Sequence, residues 1–378
     1  MSELCALQIY HGYPELLNIE EEYVRALAPR VRETVVVILK KKADASIRAR
    51  ISAEHVYFLD LKNSELSGMA GPAVRKLLAI CERHKPDILI AHRYKPTFVA
   101  GLLHRRYRFR APMAVLHGLH QFDTFMRRLG ARWFLRRDFT LLGVSDASVA
   151  DLRKRLPFHP EARLATLHNC LPVSELRAGM LARAAARREL GLPEQAFVFG
   201  TIGRLVPAKD HASLVRAFAA HAEHDADAYL CIIGEGRLRE TLSAQIAALP
   251  CRDRIVLAGN RPEAYRLLPA FDRFVLSSVN EGFGLVLLEA MCAELPLICT
   301  DAGGIGEVVG DACPLLPPGN AKVLAEAMRA SRWLDEASRA QQLERQAGRL
   351  AQFEPAQFSA RLWQLLDSRL VEDTRQEV

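Results

Sequence analysis

Short apolar runs alternate with helical patterns along almost the whole of this 378-residue chain. The strand-like runs of a first series occupy residues 4–10, 34–39, 55–59, 87–91, 112–116, 139–144 and 163–167, and those of a second series occupy 197–203, 229–234, 254–258, 274–278, 296–300 and 313–316. Strands separated by helices form parallel sheets, whose ligand sites lie at the carboxyl ends of the strands. The alternation predicts an α/β protein with two doubly wound, Rossmann-like domains that face each other across a cleft.

The break between the two series predicts the domain boundary. Residues 168–178, which contain the sequence Asn-Cys-Leu-Pro, predict the linker, so we expect an N-terminal domain over 1–170 and a C-terminal domain over 171–355. The chain is half hydrophobic and a quarter charged, and it is long enough for two sizeable cores.

Composition also narrows the cellular location. No apolar run approaches the roughly 18 residues that cross a bilayer. The N-terminus lacks a basic region and a small-residue cleavage site, and the eight cysteines show no paired spacing for zinc or redox chemistry. We therefore expect a cytoplasmic protein with reduced core cysteines.

Two carboxylates stand near a glycine-flanked turn at residues 281–289, which read E-G-F-G-L-V-L-L-E. Residues 274–278 predict a buried strand before this turn, and residues 285–294 predict a helix after it, with Glu289 among apolar neighbours. A carboxylate in such surroundings needs partners, and sugar hydroxyls are suitable ones. The glycines free backbone N–H groups at the positive end of the helix.

This stretch resembles the E-G-F-G-x-x-x-x-E signature of the family 4 glycosyltransferases, which have the GT-B fold. The resemblance implies that Glu281 holds the hydroxyls of a donor sugar and that Glu289 holds ribose hydroxyls. It further implies that four consecutive residues supply backbone N–H groups to the donor, namely Gly282, Phe283, Gly284 and Leu285. It also implies that the last helix, over about 355–370, returns with residues 356–378 to the N-terminal domain.

A second element precedes the acidic one. Residues 197–203 predict a strand that ends at Gly203 and is followed by Arg204, Lys209 and a helix capped by Asp210. This resembles the G-R-L-x-x-x-K element of the same family, which implies that Arg204 and Lys209 grip the diphosphate of a nucleotide sugar. Two cations suit this role, because Arg and Lys form charge-assisted hydrogen bonds to phosphate oxygens.

Further candidates follow other strands. The resemblance places Gly12 in a loop near the donor phosphate, where the family has more glycines, and a helix is expected to open at Glu15. It implies that His117 contacts the donor sugar, although a structural histidine is the alternative. Gly234 and Glu235 match the turn beside the nucleotide, and Arg261 is expected to border the base or to be a solvated loop residue.

Positive charge is concentrated in the N-terminal half. Residues 1–180 contain 29 Lys and Arg against 18 Asp and Glu, whereas the remainder contains 22 against 26. A basic surface should face an anionic partner. The predicted acceptor or membrane patch consists of Arg105, Arg106, Arg108, Arg110, Arg127, Arg128, Arg132 and Trp133.

Part of this patch falls on a predicted amphipathic helix over 121–138. Its apolar stripe consists of Phe122, Phe125, Met126, Leu129 and Trp133, with arginines around it. Such a helix either lies in a membrane interface or packs its apolar stripe on the sheet. Nucleic acid is disfavoured as a partner, because no nucleic-acid module accompanies the charge.

The resemblance implies a retaining, metal-independent glycosyltransferase whose co-substrate is a nucleotide diphosphate sugar, with no bound cofactor. The alternatives are a sugar-nucleotide 2-epimerase of the same fold and a non-catalytic sugar-nucleotide-binding partner. Asp225-Ala226-Asp227 spells the D-x-D of metal-dependent transferases, but we expect a solvated turn there. The acceptor is predicted to be an anionic glycan or glycolipid of lipopolysaccharide core or other cell-envelope biosynthesis, reached by peripheral contact with the cytoplasmic face of the inner membrane.

Overall fold

The structure is a computed structural model that describes residues 4–12 and 19–374. It divides into two compact units. The first unit extends to Cys170 and takes up the chain again from Pro355, and the second unit is Leu171–Glu354. The helix expected to open at Glu15 begins outside the described residues.

The first unit contains a seven-stranded parallel sheet with the strand order β3-β2-β1-β4-β5-β6-β7. Its strands are β1 (Cys5–Tyr10), β2 (Glu33–Ile38), β3 (His55–Phe58), β4 (Ile88–His92), β5 (Ala111–Leu116), β6 (Thr140–Gly143) and β7 (Leu164–Thr166). Its helices are α1 (Ile19–Leu27), α2 (Ala45–Ala49), α3 (Gly71–His84), α4 (Tyr94–His104), α5 (Phe125–Phe134) and α6 (Asp146–Arg155), with α15 (Pro355–Thr374) from the end of the chain. The central strands are buried throughout, as expected of a parallel sheet covered on both faces.

Helix α15 is attached to the first unit by contacts with α1 and the turn after it. The indole N–H of Trp363 donates a hydrogen bond to the carbonyl of Ala26 at 2.8 Å. Arg30 forms a bidentate ion pair with Asp367, and the ring of Phe358 meets Tyr23 edge to face at 4.8 Å. The last helix thus belongs to the same core as the start of the chain.

The second unit contains a six-stranded parallel sheet with the strand order β10-β9-β8-β11-β12-β13. Its strands are β8 (Phe197–Ile202), β9 (Ala228–Ile233), β10 (Ile255–Gly259), β11 (Arg273–Leu276), β12 (Leu297–Thr300) and β13 (Leu315–Leu316). Its helices are α7 (Val173–Gly179), α8 (Arg183–Leu190), α9 (His211–Ala222), α10 (Arg239–Ala247), α11 (Leu285–Cys292), α12 (Ile305–Val309), α13 (Ala321–Arg332) and α14 (Glu336–Leu350). Each strand predicted from the sequence is present, and its ends lie within two residues of the predicted ones.

The structure corrects two expectations, one in each unit. The helix predicted over 121–138 is only Phe125–Phe134, and it buries Ala131 and Phe134 rather than the predicted stripe. The reason lies in α4, where Gly101 has no side chain and leaves room for the ring of Phe134. Asp225 is buried rather than solvated, because Arg332 of α13 donates a hydrogen bond to its carboxylate at 2.8 Å.

Among the described residues, no helix has both the length and the apolar character needed to span a bilayer.

Candidate active site

Two loops meet at the carboxyl ends of β8 and β11, which are neighbours in the second sheet. The hydroxyl of Ser277 donates a hydrogen bond to the carbonyl of Lys209 at 2.9 Å, and the amide of Val279 donates to Ala208 at 2.9 Å. Asp210 then caps α9 by accepting a hydrogen bond from the amide of Ser213. The turn that carries Lys209 is therefore held by the loop after β11.

Lys209 and Glu281 form an ion pair between these loops. Both side chains are largely buried, with 17% and 15% of their surface exposed, and the hydroxyl of Ser278 donates a second hydrogen bond to the same carboxylate at 3.2 Å. Each of the two charges is thus compensated by the other. A ligand with phosphate oxygens and hydroxyls can meet both groups at once.

Glu289 lies on α11, in the first turns after the left-handed Gly284, whose φ is +92°. Burial raises the pKa of this carboxyl from 4.5 to about 7, and the nearby charge of Lys209 opposes that rise. The site thus contains one carboxyl group paired with Lys209 and a second whose pKa lies near neutral pH. The ring of Phe283 is buried against Phe353, so this residue offers a ligand only its backbone.

The ends of β8, β9 and β10 approach one another through their backbones. The amide of Gly203 donates a hydrogen bond to Ile233, and the amide of Gly234 donates to Gly259 at 2.8 Å. Gly234 has a φ of +147°, and a Cβ there would lie 2.0 Å from the carbonyl oxygen of Gly203. Glycine is required at position 234, because the two strand ends could not approach so closely with a side chain between them.

The remaining donor candidates stand on the same edge of this sheet. Arg204 follows Gly203 and is exposed, and Glu235 pairs with Arg239 at 2.7 Å. Arg261 follows β10, and its buried Nε has no hydrogen-bond partner among the described residues. A ligand atom that accepts a hydrogen bond from this nitrogen would satisfy it. The structure therefore brings Lys209, Glu281 and Glu289 together and places Arg204 and Arg261 on neighbouring loops.

His117 lies in the first unit, after β5, within a chain of hydrogen bonds. Its Nε2 is 3.1 Å from Nδ1 of His92, and Nε2 of His92 is 3.2 Å from the side-chain oxygen of Gln8. Burial lowers the pKa of His117 to about 3, and the charge of Arg93 lowers it further. His117 is therefore a neutral imidazole at neutral pH. Apart from its chain neighbours, no described residue lies within 4 Å of the point where a side chain at Gly12, after β1, would begin.

The predicted basic patch is not one free surface. Arg108 and Arg110 approach Asp138 and Asp87 at 3.7 and 3.6 Å. Arg110 immediately precedes β5 and thus lies at the amino-end edge of the sheet, opposite His117. The role of these arginines toward an acceptor stays a prediction. Arg105 donates to the carbonyl of Trp133 at 3.0 Å, whereas Arg106 and Arg132 are exposed.

The apolar residues beside this patch are exposed. The exposed fractions are 67% for Phe125, 72% for Met126, 52% for Leu129 and 45% for Trp133. The alternative in which this stripe packs on the sheet is therefore wrong for these four residues, and only Phe122 is buried. Arg127 and Arg128 are half-buried beside them and donate to the carbonyls of Gln121 and Asp123.

Three groups of side chains in the described part of the chain could hold a metal ion, and all are in the first unit. Each group has candidate ligand atoms within 4.8 Å of one another; the groups are Glu20 with His92 and His117, Glu33 with His55 and His84, and His120 with Asp123 and Asp151. The absence of a metal requirement remains a prediction.

Sequence reasoning missed one supporting residue of the second unit, Ser278, whereas Thr300 begins a turn that resembles the T-x-x-G-G-x-x-E element of the family. Ser278 contacts Glu281 directly, and Thr300 donates from its hydroxyl to the carbonyl of Ser278 at 2.6 Å. Both stand at or just after the ends of strands, which is the position that marks ligand-binding residues in parallel sheets. For Ser278, this strand-end position was the available signal.

Comparison with known proteins gives matches over both units. Residues 182–349 match the family described as glycosyl transferases group 1, and residues 21–175 match glycosyltransferase family 4. The chain is 36% identical over 112 residues to an N-acetylgalactosaminyltransferase of Campylobacter jejuni whose name specifies a diphospho-undecaprenol acceptor, which covers 29% of this chain and 30% of that protein. It is 37% identical over 119 residues to the lipopolysaccharide core biosynthesis glycosyltransferase LpsD of Rhizobium meliloti, which covers 32% and 34%. The chain thus spans about a third of the length of these two relatives.

A solved structure is similar over nearly the whole chain. Alr3699/HepE of Anabaena, crystallised with UDP and glucose, superimposes with a TM-score of 0.78 over 97% of this chain and 100% of its own. The sequence identity is 19%, so this similarity concerns the fold.

Proposed function

This chain belongs to the family 4 glycosyltransferases with the GT-B fold, and we propose that it moves a sugar from a nucleotide diphosphate sugar to a hydroxyl of a glycan or glycolipid. The observation that carries the proposal is the ion pair between Lys209 and Glu281, with Glu289 on the adjoining helix. A cation for phosphate and carboxylates for hydroxyls are the groups that a nucleotide sugar requires.

The proposed reaction retains the anomeric configuration and uses neither a metal nor a cofactor. Lys209 and Arg204 neutralise the diphosphate as negative charge develops on it, which stabilises the transition state more than the ground state. Glu281 holds hydroxyls of the donor sugar, and Glu289 holds the ribose. The acceptor hydroxyl attacks the face from which the diphosphate departs and passes its proton to a departing phosphate oxygen, so no protein nucleophile is needed.

The names of the relatives support an acceptor in cell-envelope biosynthesis. One relative is named for a lipid-linked diphosphate acceptor and another for the lipopolysaccharide core. We therefore place the acceptor among anionic, membrane-associated glycolipids, and we place the enzyme on the cytoplasmic face of the inner membrane.

Helix α5 supports a peripheral contact with that membrane. Phe125, Met126 and Leu129 expose more than half of their surface, and Arg132 and Arg128 flank them. An exposed apolar face beside cations matches the interface of an anionic bilayer, where the apolar side chains enter the acyl boundary and the cations meet headgroups.

The proposal is tested by binding and then by turnover. Thermal unfolding is followed with UDP, GDP, ADP and their sugars, since a ligand at about 100 times its dissociation constant adds roughly 2.7 kcal/mol of stability. The stabilising nucleotide sugar is then incubated with the enzyme alone and with lipid extracts of a cell envelope. Transfer of the sugar to a lipid supports the proposal. An isomerised nucleotide sugar without acceptor identifies an epimerase, and binding without either product identifies a non-catalytic partner.

A further inference from the structure

A cavity of about 530 Å³ opens in the first unit at the carboxyl ends of its central strands. His11 directly follows β1, Lys40 is the second residue after β2, and Arg93 directly follows β4. Helix α4 begins at the cavity with Tyr94, so the positive end of its dipole points to the same space. The volume lies in the range of small-molecule sites.

The lining of this cavity is strongly cationic. It contains five cationic side chains, Lys40, Lys41, Arg93, Lys95 and Arg127, and Glu20 is the one carboxylate among its described lining residues. Glu20 is buried and lies 3.7 Å from Arg93, which accounts for one of the five charges. The positive charges are felt inside the cavity, at His11. Burial lowers the pKa of this histidine, and the charges of Lys40, Lys95 and Arg93 lower it further.

Three of the remaining cations are held by neutral groups. Lys40 donates to the side-chain oxygen of Asn63 at 2.9 Å, and Lys95 donates to the carbonyl of Leu66 at 3.3 Å. Arg127 donates to the carbonyl of Gln121 and stacks over the ring of Tyr94 at 4.5 Å. These contacts fix the positions of the side chains without cancelling their charge. A polyvalent anion would gain several charge-assisted hydrogen bonds there at little cost of ordering.

We propose that this cavity binds a phosphate or diphosphate group, and that this group belongs to the acceptor. The assignment of this group to the acceptor rests on the proposed function. The donor diphosphate has its own cations in the second unit, Lys209 and Arg204, so a separate cluster of cations in the first unit matches a second phosphorylated substrate. The acceptor class is thereby narrowed to phosphorylated saccharides or sugar–lipid diphosphates.

The test measures binding of pyrophosphate to the full chain by calorimetry, with the nucleoside diphosphate that stabilises it present at saturation. We compare the unaltered protein with K41Q/K95Q and with K42Q, a neighbouring exposed lysine that does not line the cavity. The double variant should bind pyrophosphate at least about tenfold more weakly, because it loses two charge-assisted contacts, while K42Q binds normally. Equal binding by all three proteins would overturn the proposal. If the double variant does not fold, the two single variants carry the comparison, with a smaller loss expected for each.

A Lys209→Gln variant separates this inference from the proposed function. It should lose affinity for the nucleoside diphosphate and keep pyrophosphate binding in the cavity. If K41Q/K95Q instead loses the nucleoside diphosphate as strongly as pyrophosphate, the cavity serves the donor and the inference fails, while the proposed function stands. If no nucleotide binds but the lysine variants still lose pyrophosphate, the proposed function fails and the anion site remains.

The source of the phosphate is distinguished with two further probes. Mannose 6-phosphate represents a soluble phosphorylated saccharide, and vesicles of phosphatidylglycerol represent bulk headgroups. Loss of mannose 6-phosphate binding in K41Q/K95Q, with vesicle binding unchanged, supports an acceptor site. Loss of vesicle binding alone would assign the cavity to the bilayer and overturn the acceptor role.

Discussion

The ammonium group of Lys209 is paired with the carboxylate of Glu281, 72 residues further along the chain. The pair joins the loops after β8 and β11. Because the pairing fixes both side chains, a nucleotide sugar that uses both groups would have little need to order them on binding.

Removal of either member of this pair should abolish most of the transfer activity. Lys209→Ala and Glu281→Ala are each expected to lower kcat/KM by at least about two orders of magnitude, because each removes charge stabilisation and leaves the other charge unpaired. Lys322→Ala, at an exposed position of α13, is the control and should retain full activity. Measured rates near that of the unaltered enzyme would remove the substituted residue from the mechanism.

Nucleotide binding should depend on the ionisation of Glu289, whose pKa is about 7. In the proposed role of Glu289, ribose hydroxyls donate to the ionised carboxylate, so binding below pH 7 would release about one proton from this group, and affinity should fall as the pH falls. Calorimetry in buffers of different ionisation enthalpy measures this proton release. A Glu289→Gln variant should lose the part of the release that titrates near pH 7; identical proton release in both proteins would contradict the assignment.

The same carboxyl should make folding stability fall as the pH rises. Its pKa is about 7 in the folded chain and 4.5 in its ordinary state, so between these values the folded form keeps a proton that the unfolded form has lost. The associated stability is present below pH 4.5 and is lost through the window up to pH 7, by on the order of 3 kcal/mol. Urea unfolding at several pH values, compared with Glu289→Gln, measures the difference. Parallel pH profiles for the two proteins would contradict the raised pKa of Glu289.

Gly234→Ala should destabilise the second unit by roughly 3 kcal/mol or more, because the new Cβ would overlap the carbonyl of Gly203 at 2.0 Å and the positive φ is strained. Gly348→Ala is the matched control, since Gly348 lies in helix α14 with nothing within 4 Å of an added Cβ. That change should stabilise the protein by about 1 kcal/mol. Denaturant unfolding measures both, and equal effects would contradict the close approach of the two strands.

Substitution of the exposed residues of α5 should weaken membrane binding. A Phe125→Ser/Met126→Ser variant is expected to bind phosphatidylglycerol vesicles at least about tenfold more weakly, since each large apolar side chain contributes about 1.5–3 kcal/mol when buried. Trp333→Ser is the control, because this tryptophan is 70% exposed on the other unit. Sedimentation with vesicles at two salt concentrations measures the binding. Comparable losses for both variants would indicate non-specific adsorption.

The sequence predicted the strands well, because each is a short buried run between helical patterns, and burial on both faces leaves a continuous apolar signal. It also predicted that Lys209 and Glu281 follow strands. Their contact could not be derived from spacing alone, since it depends on β8 and β11 being neighbours in the sheet, although β9 and β10 separate them along the chain.

The orientation of α5 shows where periodicity is insufficient. Phe125, Met126, Leu129 and Trp133 share one face and match the pattern of a core face, yet the structure exposes that face. The buried face of α5 is instead determined by its contact with another helix, because Phe134 packs against Gly101 of α4. The charge pattern likewise identified arginines and missed Lys40, Lys41 and Lys95, which are brought together only by strand order and loop ends.

The return of α15 to α1 makes the second unit an insertion within the first in terms of chain connectivity. Exchange of the proposed donor site between homologues therefore requires replacement of the internal segment Leu171–Glu354 at two junctions. A chimera joined at a single junction would pair the N-terminal portion of one protein with a foreign final helix. In such a hybrid, residues from two different proteins would have to replace the contacts of Tyr23 with Phe358 and of Ala26 with Trp363.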